Sequence, residues 1–381
     1  MNFSFTDEQC MLRDTAEAFL AAVSDSAAVR RAMGSPDGFD SELWQRLCDE
    51  MYWQGILVPE SCDGLDLGMV EMAIAFEQLG RRLTPSPLFA SALSTIALRT
   101  LEASPARDEL LAAVARGETI SLAHTAARDD WDTVSVEATD GGSGWTLSGE
   151  ARFVSCGSAA HHLLVAARCD QRELLFVVDP SAEGVKLVKT PTMDQTRPMA
   201  ALRLEGVSLP ATGLLSRDWS QGRRNTLNIG RVLVGAEQVG CAQESLDSSV
   251  AYVGERVQFG RTIASYQAIK HKAADMMLKV ESARSLLYFA ACVADDWLAG
   301  VASDGELAEA ASMLASSAGD AAFFCAGCGI QLHGGVGITE EYDIQLYFKR
   351  ARAMESYLGR PDEHRELIAQ MLLDEGDFDA A

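Results

Sequence analysis

The chain has 381 residues, 48% of them hydrophobic, and a formal net charge of −23. Its length and apolar content are enough for two or three domains with a sizeable core. So acidic a chain lacks the basic surface that non-specific nucleic-acid binding needs, and an anionic ligand such as a CoA ester would have to be met by local Arg or Lys.

The opening MNFSFTDEQC has no basic stretch followed by an apolar core, so it does not read as a secretory signal. Thr6-Asp-Glu-Gln9 is a capping-box pattern, and it predicts a helix with Met11, Leu12, Phe19 and Leu20 on one face. Further helices fit 40–52 and 69–82. Between them the stretch from Val58-Pro59 to Gly68 is a Pro/Gly loop, and the second helix closes on Glu77-Gln-Leu79-Gly80. Residues 1–117 therefore read as an N-terminal helical domain.

At about residue 118 the period changes. Ser121–Thr125, Val134–Ala138, Trp145–Gly149, Leu163–Ala167, Leu174–Val178, Val185–Val188 and Leu202–Val207 are short runs rich in β-formers. Gly-Gly, Asp-Gly or Asp-Pro turns separate several of them. This predicts a middle β domain over 118–220. Helices before and after it make the chain α+β.

From 221 to 381 the chain is helical again. Residues 226–280 read as two long helices joined at a short polar break. Val232, Val239, Leu246 and Val253 recur every seven residues, which keeps one face of the first helix against a core. Gly230 and Glu237 lie on another face, two turns or about 10.5 Å apart. The break reads Arg256-Val-Gln-Phe259-Gly260-Arg261, followed by Tyr266-Gln267. A cation at a Gly-containing turn before a helix start suits a pyrophosphate, because free backbone N–H groups point outward there; a plain helix connection is the other reading. Cys325-Ala-Gly-Cys328 lies in an Ala/Gly-rich helical run with no second pair, so no metal or redox role is expected. Nine scattered cysteines suit a reducing compartment, and no run of 18 apolar residues is present. The expectation is a cytoplasmic protein with no membrane span. A second marked segment is Gln331-Leu-His-Gly334-Gly335-Val-Gly337, followed by Glu340-Glu-Tyr342. It follows a helical run rather than a strand, so it is no dinucleotide fingerprint of the Rossmann kind.

These two segments resemble the C-terminal domain of the acyl-CoA dehydrogenases, and the similarity extends over essentially the whole chain. The resemblance implies three parts: N-terminal helices, a middle β domain and a C-terminal helical bundle that forms the oligomer interface. It also implies FAD as cofactor, with Arg256, Phe259, Gly260, Gln267, Gln331, Gly334 and Gly335 holding the diphosphate and adenine of an FAD shared with a neighbouring subunit. The family reaction is α,β-dehydrogenation of an acyl-CoA: a carboxylate removes the α-proton and the β-hydrogen leaves as hydride to flavin N5. The proton is weakly acidic, so base and thioester must be held close in a dry site.

The base is where the sequence departs. The family's Tyr-Glu-Gly-Thr stretch reads here Tyr357-Leu358-Gly359-Arg360. A minority of members carry the Glu on the central helix before an Arg, and here that pair reads Gly230-Arg231. Arg231 keeps the family's Arg and is the second residue assigned to the catalytic set. The β-domain runs that contact flavin and substrate are altered as well, to His124-Thr125-Ala126-Ala127-Arg128-Asp129 and Phe153-Val154-Ser155-Cys156-Gly157. Two explanations stay open. Glu237 can serve as the base, with Glu355 a weaker choice, although a buried Glu paired with an Arg is the structural alternative. Or the chain is a degenerate subunit of an α2β2 enzyme acting on bulky steroid side chains or dicarboxylic acyl groups, whose partner supplies the base. A homo-oligomer using Glu237, another flavin chemistry and a non-catalytic scaffold are the remaining readings. An electron-transfer flavoprotein is the implied electron acceptor.

Overall fold

The computed structural model describes residues 5–125 and 130–374. Six helices come first: α1 (Asp7–Val23), α2 (Ser26–Met33), α3 (Ser41–Arg46), α4 (Met69–Arg82), α5 (Leu88–Arg99) and α6 (Pro105–Ala115). The capping box opening α1 is formed, Thr6 accepting from Gln9 N–H and Gln9 Oε1 accepting from Thr6 N–H. The helix expected over 40–52 is α3, continued as a π-helical turn over Leu47–Met51.

The middle part is one eight-stranded sheet. Its strands are β1 (Ile120–Ala123), β2 (Val136–Asp140), β3 (Gly144–Ser155), β4 (His162–Cys169), β5 (Arg172–Val178), β6 (Val185–Thr190), β7 (Met199–Pro210) and β8 (Leu214–Ser216). The order is β6-β7-β3-β2-β4-β5-β8, with β1 beside β4. Most pairs are antiparallel; β1–β4 and β2–β4 are parallel. The alternation read in the sequence fills one face with Leu147, Val165, Phe176, Leu202 and Val207, and Trp145 meets Phe176 edge-on at 5.4 Å. Ser94 of α5 donates to the Ile120 carbonyl, tying that helix to β1.

The last part holds α7 (Ser220–Glu255), the two-stranded β9 (Val257–Gln258) and β10 (Arg261–Thr262), α8 (Gln267–Leu298), α9 (Asp304–His333), α10 (Ile344–Met354) and α11 (Pro361–Asp374). The chain folds into two compact units. One holds the described residues up to Ser26, Met69–Thr84 and those from Gly230 on. The other holds Ala27–Gly68 and Pro85–Ile229. In the first unit α9 packs against α8, α10 and α11, and α4 packs on α1 and α8. The helix running through α9 to Ile338 is long and apolar enough to cross a bilayer by length and composition, a feature the sequence reading did not flag; half of that stretch is buried within the unit. The order helices, antiparallel-rich sheet, helices is the α+β architecture expected, and β8 and the β9–β10 hairpin are additions to it.

Candidate functional site

The polar break between α7 and α8 is a tight hairpin. Arg261 and Thr262 pair with Gln258 and Val257, and the two turn residues Phe259 and Gly260 both have positive φ, 52° and 77°. A two-residue hairpin of this type demands left-handed backbone at both positions. Glycine meets that demand freely; phenylalanine does so at a cost on the order of 1–2 kcal/mol. Phe259 nevertheless stands there 92% exposed, with no packing to offset the strain. Arg261 lies over the Tyr266 ring at 3.9 Å, bracing the hairpin. Gln267 opens α8 and is exposed. Arg256 forms no ion pair or side-chain hydrogen bond with any described residue; its backbone N–H caps the end of α7 on the Tyr252 carbonyl.

The second segment ends α9. Gln331 is exposed on its last turn, and Gly334 caps the helix with φ 64°. A Cβ placed at Gly334 or Gly335 would meet nothing within 4 Å, so their backbone faces open space. One aromatic cluster joins the two segments. Tyr252 stacks on His333 with centroids 4.4 Å apart, and Tyr342 meets both edge-on at 5.6 Å. His333 Nδ1 pairs with the Gly329 carbonyl, and burial pushes the ring below the usual histidine range. Arg256, Phe259, Gly260 and Gln267 on one side and Gln331, Gly334 and Gly335 on the other are thus parts of one exposed ledge on one unit. A free guanidinium, an exposed aromatic and open glycine backbone form a fit donor set for a diphosphate and its adenine arriving from outside the chain.

The base positions differ in character. Leu358 is buried at φ 64°, and Gly359 follows at φ 114°. Arg231 does not stand free as a catalytic cation: its Nε donates to the Leu358 carbonyl at 3.0 Å, bracing this turn. Gly359 lies so close to the imidazole of His364 that a Cβ there would be 2.6 Å from Nε2. His364 is 1% exposed, and neither ring nitrogen has a hydrogen-bond partner. Burial, and then the Arg231 guanidinium, push this histidine down to about 4, so it is neutral near pH 7. Nothing in the sequence marked it.

Glu237 is buried on α7 in an ion pair with Arg350 of α10 at 3.3 Å, and Arg350 is buried too. That is the paired arrangement the structural reading anticipated, not a carboxylate facing an open cavity. The neighbouring Gln238 donates to the Met354 carbonyl. Glu355 caps α10 in an ion pair with Arg352. Glu77, which ended a motif in the sequence, accepts from Arg284 at 3.0 Å and from the Tyr288 hydroxyl at 2.6 Å.

In the other unit, the altered β-domain runs meet at Trp131. His124 is 6.1 Å from its ring and Phe153 5.4 Å, and Phe153 sits at φ 58° beside a register shift in β3. Cys156 also has positive φ; its thiol is pushed up to about 12 by burial and faces the Ser86 carbonyl. Ala126, Ala127, Arg128 and Asp129 lie outside the described residues.

Comparison with known proteins adds a direct test of kinship. Residues 6–118 match the acyl-CoA dehydrogenase N-terminal domain and residues 221–373 the acyl-CoA dehydrogenase C-terminal domain. The chain is 34% identical over 367 residues to acyl-CoA dehydrogenase IpdE2 of Mycolicibacterium smegmatis, covering 96% of this chain and 99% of that one. Among solved structures it is similar to the ChsE4–ChsE5 complex from Mycobacterium tuberculosis, at 25% identity and TM-score 0.87, covering 99% and 100% of the two chains. A variant of the Tcur3481–Tcur3483 steroid ACAD is similar at 26% identity and TM-score 0.87, covering 97% and 98%. Two matched domains flanking the sheet, and a relative aligned almost end to end above 30% identity, agree with the helix–sheet–helix order, and the chain is an oxidoreductase of the acyl-CoA dehydrogenase family.

Proposed function

We propose that this chain is one subunit type of a heteromeric, FAD-dependent acyl-CoA dehydrogenase. It supplies a ledge for the FAD diphosphate and adenine, and a homologous partner supplies the carboxylate that removes the α-proton. The observation that carries this reading is the turn at Leu358, a buried apolar residue whose carbonyl is clasped by Arg231. A chain losing all function would be expected to lose the ledge too, yet Arg256, Phe259, Gly260, Gln267, Gln331, Gly334 and Gly335 stand open on it.

In this reading Arg256 neutralises diphosphate charge, Phe259 packs against the cofactor, and the Gly334–Gly335 backbone approaches the adenine end closely. FAD, when bound, supplies the hydride acceptor. Glu237 and Arg231 then serve the architecture: Glu237 neutralises Arg350, and Arg231 holds the Leu358–Gly359 turn. Two similar structures, ChsE4–ChsE5 and Tcur3481–Tcur3483, carry two-protein names, and the latter is described as a steroid ACAD, which supports a bulky acyl-CoA as substrate class. An electron-transfer flavoprotein would reoxidise the flavin.

The test is FAD content and flavin reduction. The chain purified alone should show no bleaching near 450 nm on adding an acyl-CoA. Purified with a co-encoded homologous subunit, it should hold FAD and bleach. Bound FAD that acyl-CoA reduces in the isolated chain would overturn the heteromeric reading.

A further inference from the structure

An open groove of about 420 Å³ runs between α8 and α9, lined among others by Asp275, Leu278, Lys279, Asp320 and Phe324. Leu278 is 67% exposed and Phe324 is also exposed, so the groove carries apolar surface to solvent. The Lys279 ammonium lies 6.0 Å from the Phe324 ring centroid. Asp320 is already engaged by Arg365 of α11 at 2.9 Å. Asp275 and Lys279 form no ion pair with any described residue. Four residues apart on a helix, they stand one turn from each other on the same side, with Leu278 beside them.

The geometry points to a second copy of this chain as the occupant, docked with its α8 antiparallel to this one about a two-fold axis. In a two-fold interface the same patch serves both sides: if residue i meets residue j of the other copy, j meets i. An antiparallel mate sets Asp275 against Lys279 of the second copy, and Lys279 against Asp275 of the second copy. Two ion pairs then flank an apolar centre made by Leu278 and Phe324 from both chains. An acid and a base one turn apart are self-complementary in that orientation alone; a parallel mate would set like charges opposite. The pairing also brings local attraction to a contact that two chains of net charge −23 otherwise oppose. The inference does not depend on the FAD ledge or on which subunit supplies the base. In an α2β2 enzyme it identifies the face that joins the two copies of this chain.

Sedimentation of the full-length chain tests it. Wild type should sediment as a dimer. Lys279→Asp and Asp275→Lys should each give monomers, because each sets like charges opposite one another twice. The double variant Asp275→Lys/Lys279→Asp should recover the dimer, since the swap restores both pairs. Mixing the two single variants should give a one-to-one mixed dimer, since one then carries two cations and the other two acids. Circular dichroism keeps misfolding apart from dissociation. A monomeric wild type at high concentration, single variants as dimeric as wild type, or a double variant that stays monomeric would each overturn the proposal. So would a wild type that is monomeric alone and loses a homologous partner on Lys279→Asp, which would give the groove to that partner.

Discussion

Gly80 on α4 and Gly240 on α7 interlock at the crossing of their helices. A Cβ on Gly80 would stand 2.2 Å from the Glu237 carbonyl oxygen, and one on Gly240 would stand 2.0 Å from the Glu77 carbonyl oxygen. The two helices thus share a Glu-x-x-Gly pattern, each glycine seated on the backbone of the other helix's glutamate. The close approach leaves both glutamate side chains to be satisfied elsewhere, by Arg284 and Tyr288 for Glu77 and by Arg350 for Glu237. Gly240→Ala is predicted to force the helices apart and to lower stability by about 1–3 kcal/mol or more, measured by urea unfolding. A change within a few tenths of a kcal/mol would mean the crossing can relax.

Glu237→Gln separates structure from chemistry. Leaving Arg350 buried without its carboxylate is expected to lower stability by about 3–5 kcal/mol, while flavin reduction by the folded complex stays near the wild-type rate. If Glu237 were the proton acceptor, that rate would instead fall about 10²–10⁴-fold. Stopped-flow reduction, read beside a melting curve, decides between the two.

Arg256→Ala should weaken FAD binding by about 10- to 100-fold, the worth of one or two charge-assisted hydrogen bonds. The melting temperature of the FAD-free chain should hardly move, because the side chain touches no described residue. FAD titration of the assembled protein gives the first quantity and thermal unfolding of the isolated chain the second.

Phe259→Asn trades function for stability. Asparagine accepts left-handed backbone, so the hairpin should gain about 1 kcal/mol while FAD retention falls. A variant that keeps FAD and gains no stability would remove the ledge assignment for Phe259.

Two buried groups bend the pH dependence in opposite directions. His364 has its pKa depressed to about 4, below the unfolded value near 6.5. Its contribution is present above pH 6.5 and is lost as pH falls toward 4. Asp295 accepts from the Met69 and Val70 N–H groups at the start of α4, yet burial raises it to about 6 from 3.8. Its ionised form is disfavoured in the fold, so its contribution is largest at low pH and is lost as pH rises through 6. Each effect is on the order of 2–3 kcal/mol. Between pH 4 and 6.5 they oppose one another. His364→Phe should therefore lose less stability than wild type on acidification, and Asp295→Asn should lose more, in urea unfolding at stepped pH.

Much of this molecule is written in short-range pattern. The capping box at Thr6, the switch from helical to alternating spacing near residue 118, and the run Arg256–Gly260 each depend on residues a few positions apart, so they are legible in one dimension. The open character of the Gly334–Gly335 turn and the exposure of Phe259 follow from the same local chemistry. What Glu237 faces does not. Helical spacing put it on the face of Gly230, but Arg350, 113 residues away, neutralises it, and that meeting exists only because α10 packs against α7. Arg231 likewise meets Leu358 across 127 residues, and the unpartnered imidazole of His364 closes the same turn. Periodicity tells which side of a helix is buried, because burial depends on an average over turns. Which partner a buried charge finds depends on one contact between distant helices, and that is decided only when the chain packs.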